Sequence, residues 1–137
     1  LITVSLEGLD NLDKLIIQNR ASIRKDVSAV VNQSLKNIRN NIIRKLQRGT
    51  PQGRYYKRGR KVHRASAGGQ PPATDRGQLV GSVFVQHEGL FGYSGVRTKY
   101  ALYLEYGTTK MQARPFVFPT AEEEQSVFIE NLKKVIQ

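Results

Sequence analysis

The sequence predicts an α+β domain: a small antiparallel sheet packed with a long N-terminal helix and a C-terminal helix, with a long basic loop between them. Three observations lead there. An apolar stripe at steps of three and four runs from Leu12 to Leu46, an alternating pattern around Val83 and Phe91 reads as a hairpin, and a second helical stripe closes the chain. Strands and helices do not alternate regularly, and no internal repeat is visible, which removes solenoids and propellers. A chain of 137 residues fits one domain, taken as 1–137.

Residues 2–6 open the chain with Ile2, Val4 and Leu6 facing one way and Thr3 and Ser5 the other, as in a half-buried strand that Gly8 ends. Asp10 suits a helix cap, and Asp13 adds negative charge near the positive end of the helix dipole. From there Leu12, Leu15, Ile16, Ile23, Val27, Val30, Val31, Leu35, Ile38, Ile42 and Leu46 trace one face of a helix. It is one helix or two in line, with the break near residues 19–22, where the stripe thins. Arg44, Lys45 and Arg48 suit its C-terminal dipole, and Gly49 with Pro51 supplies the stop. Its remaining cations, among them Lys14, Arg20, Arg24, Lys25, Lys36 and Arg39, read as a solvated face.

Residues 50–78 carry no apolar periodicity. Glycines (Gly53, Gly59, Gly68, Gly69), prolines (Pro51, Pro71, Pro72) and many cations predict a flexible basic arm or loop. Beyond it, Val83 and Val85 alternate with Ser82 and Gln86, His87 to Gly89 turn the chain, and Phe91 to Val96 return it. Phe84, on the opposite face, implies a sheet covered on both sides, by the long helix and by a neighbouring subunit.

Residues 100–106 satisfy both periodicities. Ala101, Leu104 and Glu105 have helical spacing, whereas Tyr100, Leu102, Leu104 and Tyr106 alternate. Pro115 and Pro119 impose an extended stretch on their predecessors. Thr120 with Glu123 forms a capping-box pattern that starts the last helix there, with Glu122 to Glu124 in its first turn. Phe128, Leu132, Val135 and Ile136 give that helix its apolar face.

The charge of +11, with 39% hydrophobic residues, describes a soluble basic chain whose partners are nucleic acid, an anionic surface or an acidic protein. No run reaches the roughly 18 apolar residues of a membrane span, and no basic region precedes an apolar core near residue 1, so no membrane association is expected. With no cysteine there is no disulfide, thiolate ligand or cysteine nucleophile. His63 and His87 lack metal-ligand spacing, Gly68-Gly69 lacks the lysine of a phosphate loop, and Glu105 has no paired acid or nucleophile. No cofactor, metal or catalytic residue is expected. Glu105 is expected instead to accept hydrogen bonds from backbone or from Thr108 and Arg114.

The densest charge run, Arg54, Lys57, Arg58, Arg60, Lys61 and Arg64, is interleaved with Tyr55, Tyr56 and His63. Cations interleaved with tyrosines can hold phosphates while rings stack on bases. The same run can instead order against an acidic neighbour or remain a solvated loop. No helix-turn-helix or zinc signature accompanies it.

The stretch from Tyr100 to Thr120, YALYLEYGTTKMQARPFVFPT, resembles the signature of a family of small tail-component proteins from long-tailed, lambda-like phages. Upstream, Asp75 to Val83 (DRGQLVGSV) resembles that family's glycine, leucine and serine motif, with Arg76 standing where a threonine is usual. Residues 5–12 resemble its opening strand, glycine and leucine-rich helix. The positions that match are Gly77, Leu79, Ser82, Tyr100, Ala101, Glu105, Gly107, Thr108, Pro115, Phe116 and Pro119. The resemblance implies a non-enzymatic virion protein at the head-proximal end of the tail or in the neck, assembled in the host cytoplasm. There it would join tail to head within a sixfold ring of copies around the DNA channel. Its neighbours would be connector or stopper proteins and tail terminator or tube proteins, with DNA passing close by. A tail terminator or head-closure role belongs to the same reading, and a nucleic-acid-binding module acting through residues 54–64 is the alternative. Tyr100, Tyr103, Tyr106, Phe116 and Phe118 have the size of interface anchors, but most are expected to fill the core, with one or two at a subunit boundary. Gly107 is expected to permit a backbone turn.

Overall fold

The computed structural model describes residues 9–136, and the expected strand at 2–6 lies outside them. A single α-helix, α1 (Leu9–Arg48), is followed by two short strands, β1 (Tyr55–Arg58) and β2 (Lys61–Arg64), and a one-turn helix, α2 (Gln78–Gly81). A second strand pair, β3 (Val83–Glu88) and β4 (Phe91–Val96), precedes helices α3 (Ala101–Tyr106) and α4 (Phe118–Ile136). The fold is α+β, with two separate two-stranded antiparallel sheets where one was expected.

α1 runs unbroken through residues 19–22, so its 40 residues reach about 60 Å at 1.5 Å per residue. Nothing at 19–22 breaks a helix chemically: Asn19, Arg20, Ala21 and Ser22 include neither proline nor glycine. The stripe thins there because residues 17–26 are exposed. The helix enters the core only further along, where Ile42 and Leu46 are buried with Leu79, Val83, Ala101 and Phe116. Ile38, Leu104 and Val117 pack at the margin.

β3 and β4 lie on α1 with Val83 opposite Val96, Val85 opposite Ser94 and His87 opposite Gly92 on one face. Gly92 is required by close approach, because a Cβ there would run into the Leu35 side chain and stand 2.8 Å from the Gln86 carbonyl. At the far end the Ser28 hydroxyl donates to the Gly89 carbonyl at 2.7 Å, tying the hairpin turn to α1. That turn is Gly89-Leu90, with Gly89 at φ +58, rather than the His87–Gly89 expected. A glycine of positive φ at the first position of a two-residue loop matches the twist of the flanking strands. The opposite face carries Phe84, over which the Arg97 guanidinium sits at 4.9 Å, with Phe91 and Tyr93 exposed.

α4 packs on α1 through a buried polar contact. Glu124, 6% exposed, accepts from Ser34 Oγ at 2.9 Å and from Asn37 Nδ2 at 3.0 Å through one carboxylate oxygen. Removing one of two donors from a buried carboxylate costs about 1–3 kcal/mol. Ser34→Ala is therefore expected to lower stability by that amount in urea denaturation, with an unchanged far-ultraviolet spectrum.

The expected capping box does not form. α4 begins at Phe118, and Thr120 is buried two residues inside it, its hydroxyl donating 2.7 Å to the Phe116 carbonyl. Glu123 turns outward to Lys45 at 2.7 Å. Pro119 occupies the first turn, where the missing N–H is not needed.

The basic arm is not a structureless loop. It is the hairpin β1–β2, with Tyr55 opposite Arg64, Tyr56 opposite His63, Lys57 opposite Val62 and Arg58 opposite Lys61. Gly59 turns it at φ +60. Both faces are largely solvated, so no apolar alternation could announce it. An isolated two-stranded hairpin is marginal in water, and this one is held at its base and, near its tip, by a 2.9 Å pair between Arg58 and Asp75. The Gly53 and Ala65 N–H groups bond across at 2.7 and 2.9 Å, and Arg64 reaches the Gly53 carbonyl at 3.1 Å. Amide hydrogens of residues 56–63 are expected to exchange at least about a hundredfold faster than those of 83–87, as local opening there exposes little apolar surface. Comparable protection of the two hairpins would contradict this.

Candidate functional site

Three features gather the sequence-predicted residues: a joint between α3 and α4, an aromatic face beside it, and the basic hairpin.

The joint is built around Glu105. Its side chain is buried, at 7% exposure, and Oε2 accepts the backbone N–H groups of Phe116 and Val117 at 2.9 and 3.0 Å. Oε1 accepts that of Phe118 at 2.9 Å. Three donors that the start of α4 leaves without intrahelical partners are thus met by one carboxylate, which also opposes the positive end of the helix dipole. The expected backbone donors are present, but Thr108 and Arg114 are not among them. Thr108 instead accepts the Lys110 N–H at 3.2 Å and pairs with Met111 across a tight turn. Gly107 starts that turn at φ +76 and ψ 177. Phe116 is fully buried, Ala101 lies in the same core, and Pro115 precedes the capped amides.

The upstream motif works similarly. Gly77 stands at φ 75 and ψ 0 immediately before α2, Leu79 is buried, and the Ser82 hydroxyl donates to the Leu79 carbonyl at 2.8 Å. α3 and α2 therefore hold the core ends of both motifs together through Leu79, Ala101 and Phe116.

Residues 101–106 are helical, which resolves the double periodicity in favour of the 3.6-residue reading. The consequence for the aromatics departs from expectation. Of the five, only Phe116 is core; Tyr100, Tyr103, Tyr106 and Phe118 are 42%, 59%, 64% and 53% exposed. Once Ala101 and Glu105 face inward, a helix must turn Leu102, Tyr103 and Tyr106 outward. Tyr106 and Phe118 rings meet at 5.8 Å with planes tilted by 60°, extending the face across the joint. Leu102, also exposed, belongs to this face and was legible only once the helix was chosen.

On the hairpin, alternation separates two faces. Tyr55, Lys57, Val62 and Arg64 project on one, with the Arg64 guanidinium 5.0 Å from the Tyr55 ring centre. Tyr56, Arg58, Lys61 and His63 share the other, which Asp75 ties to the body. Its Oδ2 accepts from Arg58 at 2.9 Å and its Oδ1 lies 3.6 Å from His63 Nδ1. Asp75 is the only acid between Asp26 and Glu88 in the sequence, a signal that the basic run would claim it. Arg54, Lys57, Arg60 and Lys61 are exposed and, among the described residues, have no acidic partner.

Among the described residues no three His, Asp or Glu side chains gather as a metal site, and no helix is long and apolar enough to cross a membrane. Comparison with protein-family models, with curated proteins and with solved structures returned no match to this chain.

Proposed function

We propose that this chain is a structural virion protein of a tailed phage, a neck or tail-completion component that joins tail to head within a ring of copies around the DNA channel. The observation that carries the reading is the aromatic face of α3 and the α4 N-terminus. Leu102, Tyr103, Tyr106 and Phe118 stand in solvent on a backbone that Glu105 holds rigid. Grouped aromatics with few rotatable bonds on a fixed scaffold are what an assembly contact uses. They fall inside the stretch that resembles the tail-component family, and the solvated aromatics explain what that stretch would be for. Sixfold symmetry, a place in the virion and neighbours among connector, terminator and tube proteins belong to this proposal through the resemblance.

The test is electron microscopy of lysates from the parent phage with this gene deleted. Full heads beside separate tails of normal length are the expected result, and overlong tails would assign a terminator role. Normal infectious particles would overturn the reading. Complementation by a folded Tyr103→Ser/Tyr106→Ser variant is expected to fail, because the face and not the fold is altered.

The hairpin favours a second reading as a duplex-binding ribbon. A two-stranded antiparallel ribbon fits the major groove, and Arg54, Lys57, Arg60 and Lys61 are free to meet phosphates. If so, binding to a random duplex weakens with salt, and Lys57→Gln/Arg60→Gln/Lys61→Gln lowers the log–log slope by about 3. An unchanged slope would remove the hairpin from any DNA contact.

A further inference from the structure

Behind the hairpin, between its Asp75-facing side and the body, lies a hollow of about 480 Å³. Tyr56, Tyr100, Leu79, Leu104 and Met111 give it apolar walls. Three arginines line it, Arg58, Arg76 and Arg114, against the single acidic residue Asp75.

That carboxylate is already engaged. One oxygen takes Arg58 and the other faces His63, so Arg76 and Arg114 line the hollow with no acidic partner among the described residues. Arg114 Nε is buried without any acceptor, and its Nη1 has only the Met111 sulfur at 4.0 Å, a weak one. On the same lining, Ser66 is 0% exposed and its hydroxyl has no partner. Folded proteins leave few buried polar atoms unmet, since each costs free energy. Both atoms lie behind the surface of the hollow, so the donors an acceptor from outside would meet are Arg76 and the outer N–H groups of Arg114, neither of which has an acidic partner among the described residues.

We infer that this hollow receives an acidic peptide segment of a protein partner, with a carboxylate on the Arg114 and Arg76 side and an apolar side chain against Leu79, Leu104 and Met111. A guanidinium presents parallel N–H groups that match the two oxygens of a carboxylate. The apolar walls select a carboxylate carried beside a hydrophobic group over a bare anion. Duplex phosphates sit on a stiff rod about 20 Å across, too wide to enter a hollow behind a four-residue ribbon. The hairpin thus presents different groups on its two faces, with Lys57 outward beside Tyr55 and Arg64 and the peptide site inward. The site stands whether or not the chain is a virion component.

The test is a titration of the ¹⁵N-labelled protein with N-acetyl-leucine, followed by the amide and arginine Nε–Hε resonances. Saturable shifts at Arg114 Nε–Hε and at the Gly77 and Leu79 amides are expected, and N-acetyl-leucinamide should bind about tenfold more weakly because it lacks the charge. Arg114→Gln should abolish the response, and Arg76→Gln, at an exposed position that leaves folding intact, should weaken it several-fold; Lys57→Gln, on the outer face, should leave it unchanged. Equal binding of acid and amide, or no saturable shift, would overturn the proposal. So would an equal response to inorganic phosphate, which would make the hollow a general anion site.

Discussion

Replacing Glu105 with alanine is expected to cost about 3–5 kcal/mol, a large part of the 5–15 kcal/mol that holds a domain of this size together. The substitution strips the acceptor from three backbone N–H groups at once, and that of Phe116 lies in the core, where water cannot replace it. It also leaves a void beside Phe116. Glu105→Gln keeps the shape and one acceptor oxygen but turns an NH₂ group toward a backbone donor, so it should recover only part of the loss, at about 2–3 kcal/mol. Urea denaturation of both variants measures this directly. A Glu105→Ala protein within about 1 kcal/mol of the parent would mean that α4 caps itself and the carboxylate is incidental.

Gly107→Ala is the second large effect, at about 3–4 kcal/mol. A φ of +76 with ψ near 180° is a region open essentially to glycine alone, which costs other residues about 1–3 kcal/mol. The added methyl would stand 2.7 Å from the Ala113 nitrogen and 2.8 Å from the Met111 carbonyl oxygen, both main-chain atoms that cannot swing aside. Relief requires opening the turn that positions Pro115 and the capped amides. Because Glu105 and Gly107 shape one joint, the double variant should lose less than the sum of the two. A melting temperature within about 3 °C of the parent would show that the turn tolerates a different backbone.

The parts of this fold that the chain announces are those where burial writes a period. The stripe through Ile38, Ile42 and Leu46 and the alternation of Val83 and Val85 are both read correctly, since each repeats a buried face. The basic hairpin was hidden because neither of its faces is buried, and its remaining signal, Gly59 between two cation-rich runs of which only the first holds tyrosines, also suits a loop. The α4 start was misplaced for a different reason: Thr120 and Glu123 have the spacing of a local cap, but a carboxylate from another helix reached the amides first. No local pattern encodes a cap supplied from 11 residues upstream. The aromatic face follows from the same ambiguity: as a strand, residues 100–106 would have buried one row of rings, whereas as a helix they bury Ala101 and Glu105.

With only two strands in each sheet, every strand among the described residues is also an edge. The hairpin at 55–64 guards its edges with Lys57, Arg58, Lys61 and Arg64, which repel a second copy approaching in register. The other pair, Val83 to Val96, contains neither lysine, arginine nor proline and a single charge at Glu88. The long-range repulsion of the +11 chain opposes the stacking of those strands onto another molecule, over about 10 Å at 0.1 M salt and only about 3 Å at 1 M. Raising the salt from about 0.1 M to about 1 M is therefore expected to make the protein associate by strand addition along 83–96, and light scattering that stays flat across that range would show that the edge is closed by other means.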